Sequence, residues 1–140
     1  MLRSIAAVLF GFVLIAALSF GADVVLRQAL PTAYDAAGRV DSVAVLLLIM
    51  GYVGLFAVTG CYLTARLAPS RPMLHALVLG VLGLAFSVAG TVAEWDTAPA
   101  WYHVASLVLV MPYAWVGGRL REVELERNGE GAAVSDPHPA

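Results

Sequence analysis

Few side chains in this sequence could do chemistry, and the first group lies in the stretch TGCYLTARLAPSRPMLHALVLG, residues 59–80. It contains the only cysteine, Cys61, together with His75 and two arginines. A zinc site needs at least three nitrogen, sulfur or oxygen ligands from the protein, and an arginine cannot supply one because it remains protonated. As a nucleophile, Cys61 would need a lowered pKa, yet it lies inside an apolar segment, where a thiolate is disfavoured. We therefore predict that Cys61 packs between helices and that this stretch holds no metal.

The second group consists of polar residues at the ends of apolar segments, namely Asp23, Glu94, Asp96 and His103. Carboxylates with an imidazole could hold a divalent cation or respond to pH. Their spacing matches no known ligand motif, however, and exposed acids ordinarily mark a solvated loop. We keep these four residues as a candidate outer polar cluster, and we predict neither a cofactor nor an enzymatic activity.

The composition decides which elements must position these residues. Of the 140 residues, 61% are apolar and 13% are charged, against roughly 45–50% and about 25% in ordinary soluble domains. A soluble fold of this size could not bury so much apolar surface. The sequence therefore predicts an integral membrane protein of one domain.

Four segments are long and apolar enough to form transmembrane helices, which need about 20 residues each. They are residues 4–22, 43–65, 72–93 and 100–118. The prediction is an all-α, four-helix transmembrane bundle over residues 1–121. The polar, acidic residues 122–140 are expected to continue the last helix to about Glu126 and then to form a disordered cytoplasmic tail.

The arginines give an orientation by the positive-inside rule. Five of them flank the predicted helices on one side of the membrane: Arg3, Arg66, Arg71, Arg119 and Arg121. Arg27 and Arg39 lie on the other side, among acidic residues. We therefore predict that both termini and the short loop from Arg66 to Arg71 are cytoplasmic. Arg66, Arg71, Arg119 and Arg121 are expected to anchor this topology and to be able to bind anionic lipid head groups.

A cleaved signal peptide is the alternative for the first segment, since Arg3 precedes an apolar run. That run is longer than a typical signal-peptide core, and the residues after it make a poor cleavage site. We therefore expect the segment to be a membrane helix.

Away from the helix ends, the predicted spans contain no ionisable residue. Proton-coupled transporters and ion pumps usually need one within the membrane. The sequence also lacks a glycine-rich phosphate loop, and nothing in it indicates nucleic-acid binding.

Small residues recur at helical spacing in the second and third segments, where they would let helices approach closely in lipid. The predicted packing residues are Gly51, Gly54, Cys61, Ala76, Gly80, Gly83 and Ser87. Because only a short turn joins these two segments, we expect their small faces to meet and to form the tightest contact of the bundle. Pro112 predicts a kink in the fourth helix.

The run from Gly60 to Ala76, GCYLTARLAPSRPMLHA, continuing to Gly80, resembles a pattern in small four-helix inner-membrane proteins of bacteria. In that group a glycine-rich helix ends in a Tyr-Leu-x-Ala-Arg-Leu-Ala turn, and a proline and a histidine-alanine pair open the next helix. The likeness covers residues 51–90. It implies the fold and the location, and it carries no assigned activity.

The leading functional prediction is a structural or accessory membrane protein. Its expected partners are the lipid bilayer and either a second copy or another membrane protein, contacted through small-residue helix faces. The alternative is a subunit of a small oligomeric transporter or channel. Its pore would be lined by Thr59, Tyr62, Thr64, Ser87 and the backbone freed at Pro112. A membrane enzyme ranks third.

Overall fold

The chain folds into four long helices. The computed structural model describes residues 2–135, with side chains described for residues 2–129. The helices are α1 (Leu2–Ala29), α2 (Val43–Leu67), α3 (Pro72–Ala93) and α4 (Ala100–Ser135), with short 3-10 turns at Pro31–Ala33 and Trp95–Thr97. The predicted all-α class is thereby confirmed. By length and hydropathy, α1, α2 and α3 could each cross a membrane.

The observed helices differ from the predicted spans mainly at their ends. Helix α1 continues to Ala29, because hydropathy marks the apolar part of a helix rather than its full length. Helix α4 runs through Pro112 and on to Ser135, well past Glu126, where the sequence predicted that it would end. Ion pairs three residues apart, Arg119–Glu122 and Arg121–Glu124, support this extension. Residues 136–140 of the predicted tail lie outside the described part of the chain.

The bundle has two ends that we name by one residue each. The Arg66 end contains the start of α1 and the short turn between α2 and α3. The Asp23 end contains the longer connection from α1 to α2 and the connection from α3 to α4. Around the bundle, α1 lies beside α2, α2 beside α4, and α4 beside α3, while α1 and α3 make a much weaker contact.

The half of the bundle near the Arg66 end is closely packed. Its core consists of Val8, Cys61, Ala65, Ala76, Leu79 and Ala114. Thr64 is completely buried there, and its hydroxyl donates a hydrogen bond to the carbonyl oxygen of Ala7 across 3.2 Å. This bond joins α1 to α2 at a depth where a polar group needs a partner.

Cys61 and Ala65 of α2 share a core with Ala76 of α3. The predicted packing glycines of these two helices that contact another helix nevertheless contact α4 rather than each other. A side chain at Gly54 would meet the ring of Tyr113, and one at Gly80 would meet Ala114, both on α4. The partner was missed because α4 has its own small stripe of Ala114, Gly117 and Gly118, which the sequence analysis did not single out. A Cβ atom at Gly117 would lie 2.7 Å from the backbone oxygen of Val58 on α2. Chain connectivity therefore indicated a true neighbour, but the more extensive contacts of α2 and α3 are those with α4.

Candidate functional site

A cavity of about 560 Å³ lies between the helices in the half of the bundle near the Asp23 end. Its floor is formed by Phe12, Cys61 and Leu79, where the helices begin to diverge from the packed core. From this floor the lining follows α1 through Ser19 to Asp23. Most of the lining side chains are apolar, and the polar ones concentrate at the Asp23 end.

Polar groups from several elements surround the mouth of this cavity. The lining includes Asp23 and Arg27 from α1, Tyr34 from the first connection, and Glu94 at the end of α3. The hydroxyl of Tyr52 on α2 donates a hydrogen bond to the Asp23 carboxylate. The mouth therefore carries two carboxylates and one guanidinium.

Ser19 lies one helical turn deeper than Asp23 and also lines the cavity. Its Oγ atom is buried, and among the described side chains it is the one buried nitrogen or oxygen without a hydrogen-bond partner. Buried polar atoms in proteins are nearly always hydrogen-bonded. The wall of the cavity therefore contains a buried hydroxyl that has no partner within the protein.

The cavity also has a side facing the surface of the bundle, between α1 and α3. Phe12 and Phe86 bridge these two helices near the floor, with ring centroids 4.7 Å apart. Further toward the Asp23 end, Gly90 of α3 is exposed and lines the cavity. A Cβ atom built at Gly90 would meet no atom within 4 Å. The weak contact between α1 and α3 thus leaves a lateral gap.

The predicted outer polar cluster is only partly brought together. Asp23, Glu94 and His103 line the same cavity, whereas Asp96 does not belong to its lining. His103 is 6% exposed; its Nε2 atom lies 3.1 Å from the carbonyl oxygen of Trp95, and its ring stacks on that indole. Within residues 2–135, no group of three or more histidine, cysteine or acidic side chains is placed to hold a metal ion.

The predicted packing residues have different surroundings. Gly54, Cys61, Ala76 and Gly80 are buried between helices. Gly83 and Ser87 line the cavity, and an added Cβ at Gly83 would make an ordinary 3.8 Å contact with Val110. Gly51 is exposed, and no atom lies within 4 Å of its Cβ position.

At the Arg66 end, two of the predicted anchor arginines join a network between α2 and α4. The Tyr62 hydroxyl donates to the Glu124 carboxylate across 2.8 Å. Arg66 donates to the Tyr62 oxygen, and Arg121 donates to the same carboxylate across 2.7 Å. The bonds from Arg121 and Tyr62 hold the pKa of Glu124 below its ordinary value.

The remaining two anchor arginines lie apart from this network. Arg119 pairs with Glu122 and Glu126 along the surface of α4. Arg71 adopts a left-handed backbone conformation with φ of 49° at the start of α3. Its carbonyl oxygen lies 3.1 Å from the Nδ1 atom of His75. The imidazole of His75 therefore contacts the backbone at the turn between α2 and α3.

No family model matches this chain, and searches of curated proteins and of solved structures gave no match. The cavity is therefore characterised by its own residues. Ser19 and Tyr52 were not singled out from the sequence, because a serine or a tyrosine in an apolar helix is common and gives no sign of its neighbours. The spacing of Ser19 and Asp23, four residues apart on one face of α1, was the only available signal.

Proposed function

We propose that this chain is a non-enzymatic, accessory protein of the bacterial inner membrane that crosses the bilayer four times and associates with a second copy or another membrane protein. The close packing of α4 against α2 and α3 supports a fourth crossing over residues 100–118. The arginines at the Arg66 end support a cytoplasmic location for that end and for both termini. In this orientation the Asp23 end faces outward.

The observation that carries the proposed association is a pair of small residues on α1. Ala17 and Gly21 lie four positions apart and are both exposed. A Cβ atom added at Gly21 would meet no atom within 4 Å. Pairs of this spacing let a second helix approach closely in lipid. Helix α1 is available for such a contact because it packs chiefly on α2 alone.

Photo-crosslinking of the full chain in cell membranes tests this proposal. We expect a photoreactive residue at Gly21 to give a dimer of twice 14.7 kDa, and a leucine at Ala17 to suppress that product. The matched control is the same residue at Gly51 of α2, which also has open space but lies among exposed Leu47, Leu48 and Leu55. Equal product from positions 21 and 51, or none at 21, would contradict the proposal.

A subunit of an oligomeric transporter or channel is the second candidate, and the cavity is the observation that favours it. Of the predicted pore residues, Ser87 lines the cavity. Thr59 instead bonds to its own helix at Leu55, and Thr64 bonds to Ala7. Transport predicts that Cys61, at the cavity floor, reacts with membrane-impermeant thiol reagents from both sides. The accessory function predicts labelling from the outer side at most.

A further inference from the structure

We propose that the cavity near the Asp23 end binds an amphiphile, with its alkyl chain inside and a protonated amine at the Asp23 and Glu94 carboxylates. The molecule enters sideways from the bilayer through the gap between α1 and α3. This inference rests on the membrane insertion proposed above. It does not depend on association through Gly21.

The depth of the cavity matches the length of an alkyl chain that spans one leaflet of a bilayer. Phe12 at the floor and Asp23 at the mouth are separated by 11 positions of α1, or about 16 Å along the helix. That is about half of the roughly 30 Å hydrocarbon core of a bilayer. The volume of about 560 Å³ lies within the usual range of ligand sites. An apolar cavity of this depth excludes a ligand that is polar throughout.

The mouth selects the head group through its charge. Asp23 and Glu94 contribute two carboxylates, against the single guanidinium of Arg27. Arg27 is held over the ring of Tyr34, with its central carbon 4.9 Å from the ring centroid. Ionised carboxylates accept hydrogen bonds and cannot donate them, so an ammonium group complements them. The phosphate of a zwitterionic head group would in turn complement Arg27.

Ser19 supplies an independent sign of an occupant. Its buried Oγ atom has no partner in the protein and lies one turn below Asp23. Ser19 thus places an unpaired hydroxyl between the carboxylates of the mouth and the apolar floor, at the level where a polar linkage of the head group would meet the alkyl chain.

The gap between α1 and α3 provides the route of entry. Gly90 lies on this gap and also lines the cavity, with no atom within 4 Å of its Cβ position. A bulky side chain there fills the route without displacing a neighbour. Gly51 offers equally open space on the exposed surface of α2 but is not part of the lining. The two glycines thus form a matched pair.

Native mass spectrometry of the full chain, titrated in detergent, tests the inference. The probes are phosphatidylethanolamine, dodecylamine and phosphatidylglycerol. We expect the two amines to bind at least tenfold more tightly than phosphatidylglycerol. Gly90→Leu should weaken amine binding at least tenfold, while Gly51→Leu leaves it unchanged. Circular dichroism and elution volume establish that both variants remain folded.

Charge variants test the head-group assignment separately. Asp23→Asn keeps an oxygen to accept the Tyr52 bond but loses the charge, so the preference for amines over phosphatidylglycerol should fall several-fold. Asp96→Asn, outside the lining, serves as the control. Binding of phosphatidylethanolamine alone identifies a membrane lipid, and binding of both amines includes free amphiphiles.

The inference is overturned if phosphatidylglycerol binds as tightly as the amines, or if Gly90→Leu binds like the unmodified chain. Failure of the association proposal gives a different result. In that case the crosslink at Gly21 is absent while amine binding and its loss in Gly90→Leu persist.

Discussion

The two halves of this bundle use the same residue type for opposite purposes. Near the Arg66 end, Gly117 allows α4 to touch the backbone of α2, and any side chain there would collide. Near the Asp23 end, Gly90 borders empty space. In lipid, where apolar burial gives helices no drive to associate, close contact is a main source of stability. The comparison indicates that close packing is concentrated at one end and open space at the other.

The largest effect on the free energy of unfolding should come from placing a leucine at one of these two glycines. Gly117→Leu places its Cβ 2.7 Å from the backbone oxygen of Val58 and 2.9 Å from the backbone nitrogen of Tyr62. Backbone atoms cannot yield without moving a helix, so we expect a loss of about 3 kcal/mol in the free energy of unfolding. Gly90→Leu should instead raise the free energy of unfolding by up to about 1 kcal/mol, because its Cβ meets no atom within 4 Å and glycine disfavours a helix interior. Unfolding in mixed micelles measures both, and equal losses would remove the distinction between the halves.

Alanine at two glycines of α3 that are one turn apart should change the free energy of unfolding in opposite directions. The Cβ of Gly80→Ala would lie 2.5 Å from that of Ala114, so the helices must separate, at a cost of about 1–2 kcal/mol. The Cβ of Gly83→Ala would meet Val110 at 3.8 Å. This variant should gain up to about 1 kcal/mol, since glycine disfavours a helix interior. The same unfolding assay compares them. A loss of stability in Gly83→Ala would show that the packed half extends past Gly80 to Gly83.

The smallest effect concerns the pKa of Glu124 at the Arg66 end. Tyr62→Phe removes one of the two bonds that lower this pKa, so it should rise toward its ordinary value. Because the native pKa is lowered, the stabilising contribution of Glu124 is present above the ordinary pKa and is lost as the pH falls through the lowered value. Titration of ¹³C-labelled glutamates by NMR measures the shift.

Tyr52→Phe is the control for this titration, since its hydroxyl bonds to Asp23 at the other end. A Glu124 pKa that is the same in Tyr62→Phe and in the unmodified chain would show that the α2–α4 network is not maintained in solution.

The sequence predicted the helices better than their partners. Helix α3 has the predicted bounds, and α2 begins at the predicted Val43, because a proline or a polar residue precedes each apolar run. The extension of α4 depends on side-chain pairs such as Arg121–Glu124, whose contribution is invisible to hydropathy. Small residues at helical spacing indicated close approach but could not indicate which helix would approach.

The cavity could not be predicted from the sequence in the same way. It exists because α1 and α3 diverge beyond Phe12 and Phe86, and divergence depends on the crossing angles of whole helices. Sequence reasoning placed Asp23, Glu94 and His103 near one membrane face. It could not distinguish side chains around a cavity from side chains on a solvated loop, because both are polar residues beyond the ends of apolar runs.

The two connections at the Asp23 end are tied to each other through their backbones, since the amide of Val40 donates to the carbonyl oxygen of Thr97 across 2.9 Å. Val40, Leu46 and Ala98 form a small apolar cluster beneath this bond. One rim of the cavity, on the side of α2 and α4, is therefore a fixed edge. Across the opposite rim, the described residues of α1 and α3 make no hydrogen bond to each other, so the width of the entrance is set by how α1 packs on α2, where Tyr52 bonds to Asp23.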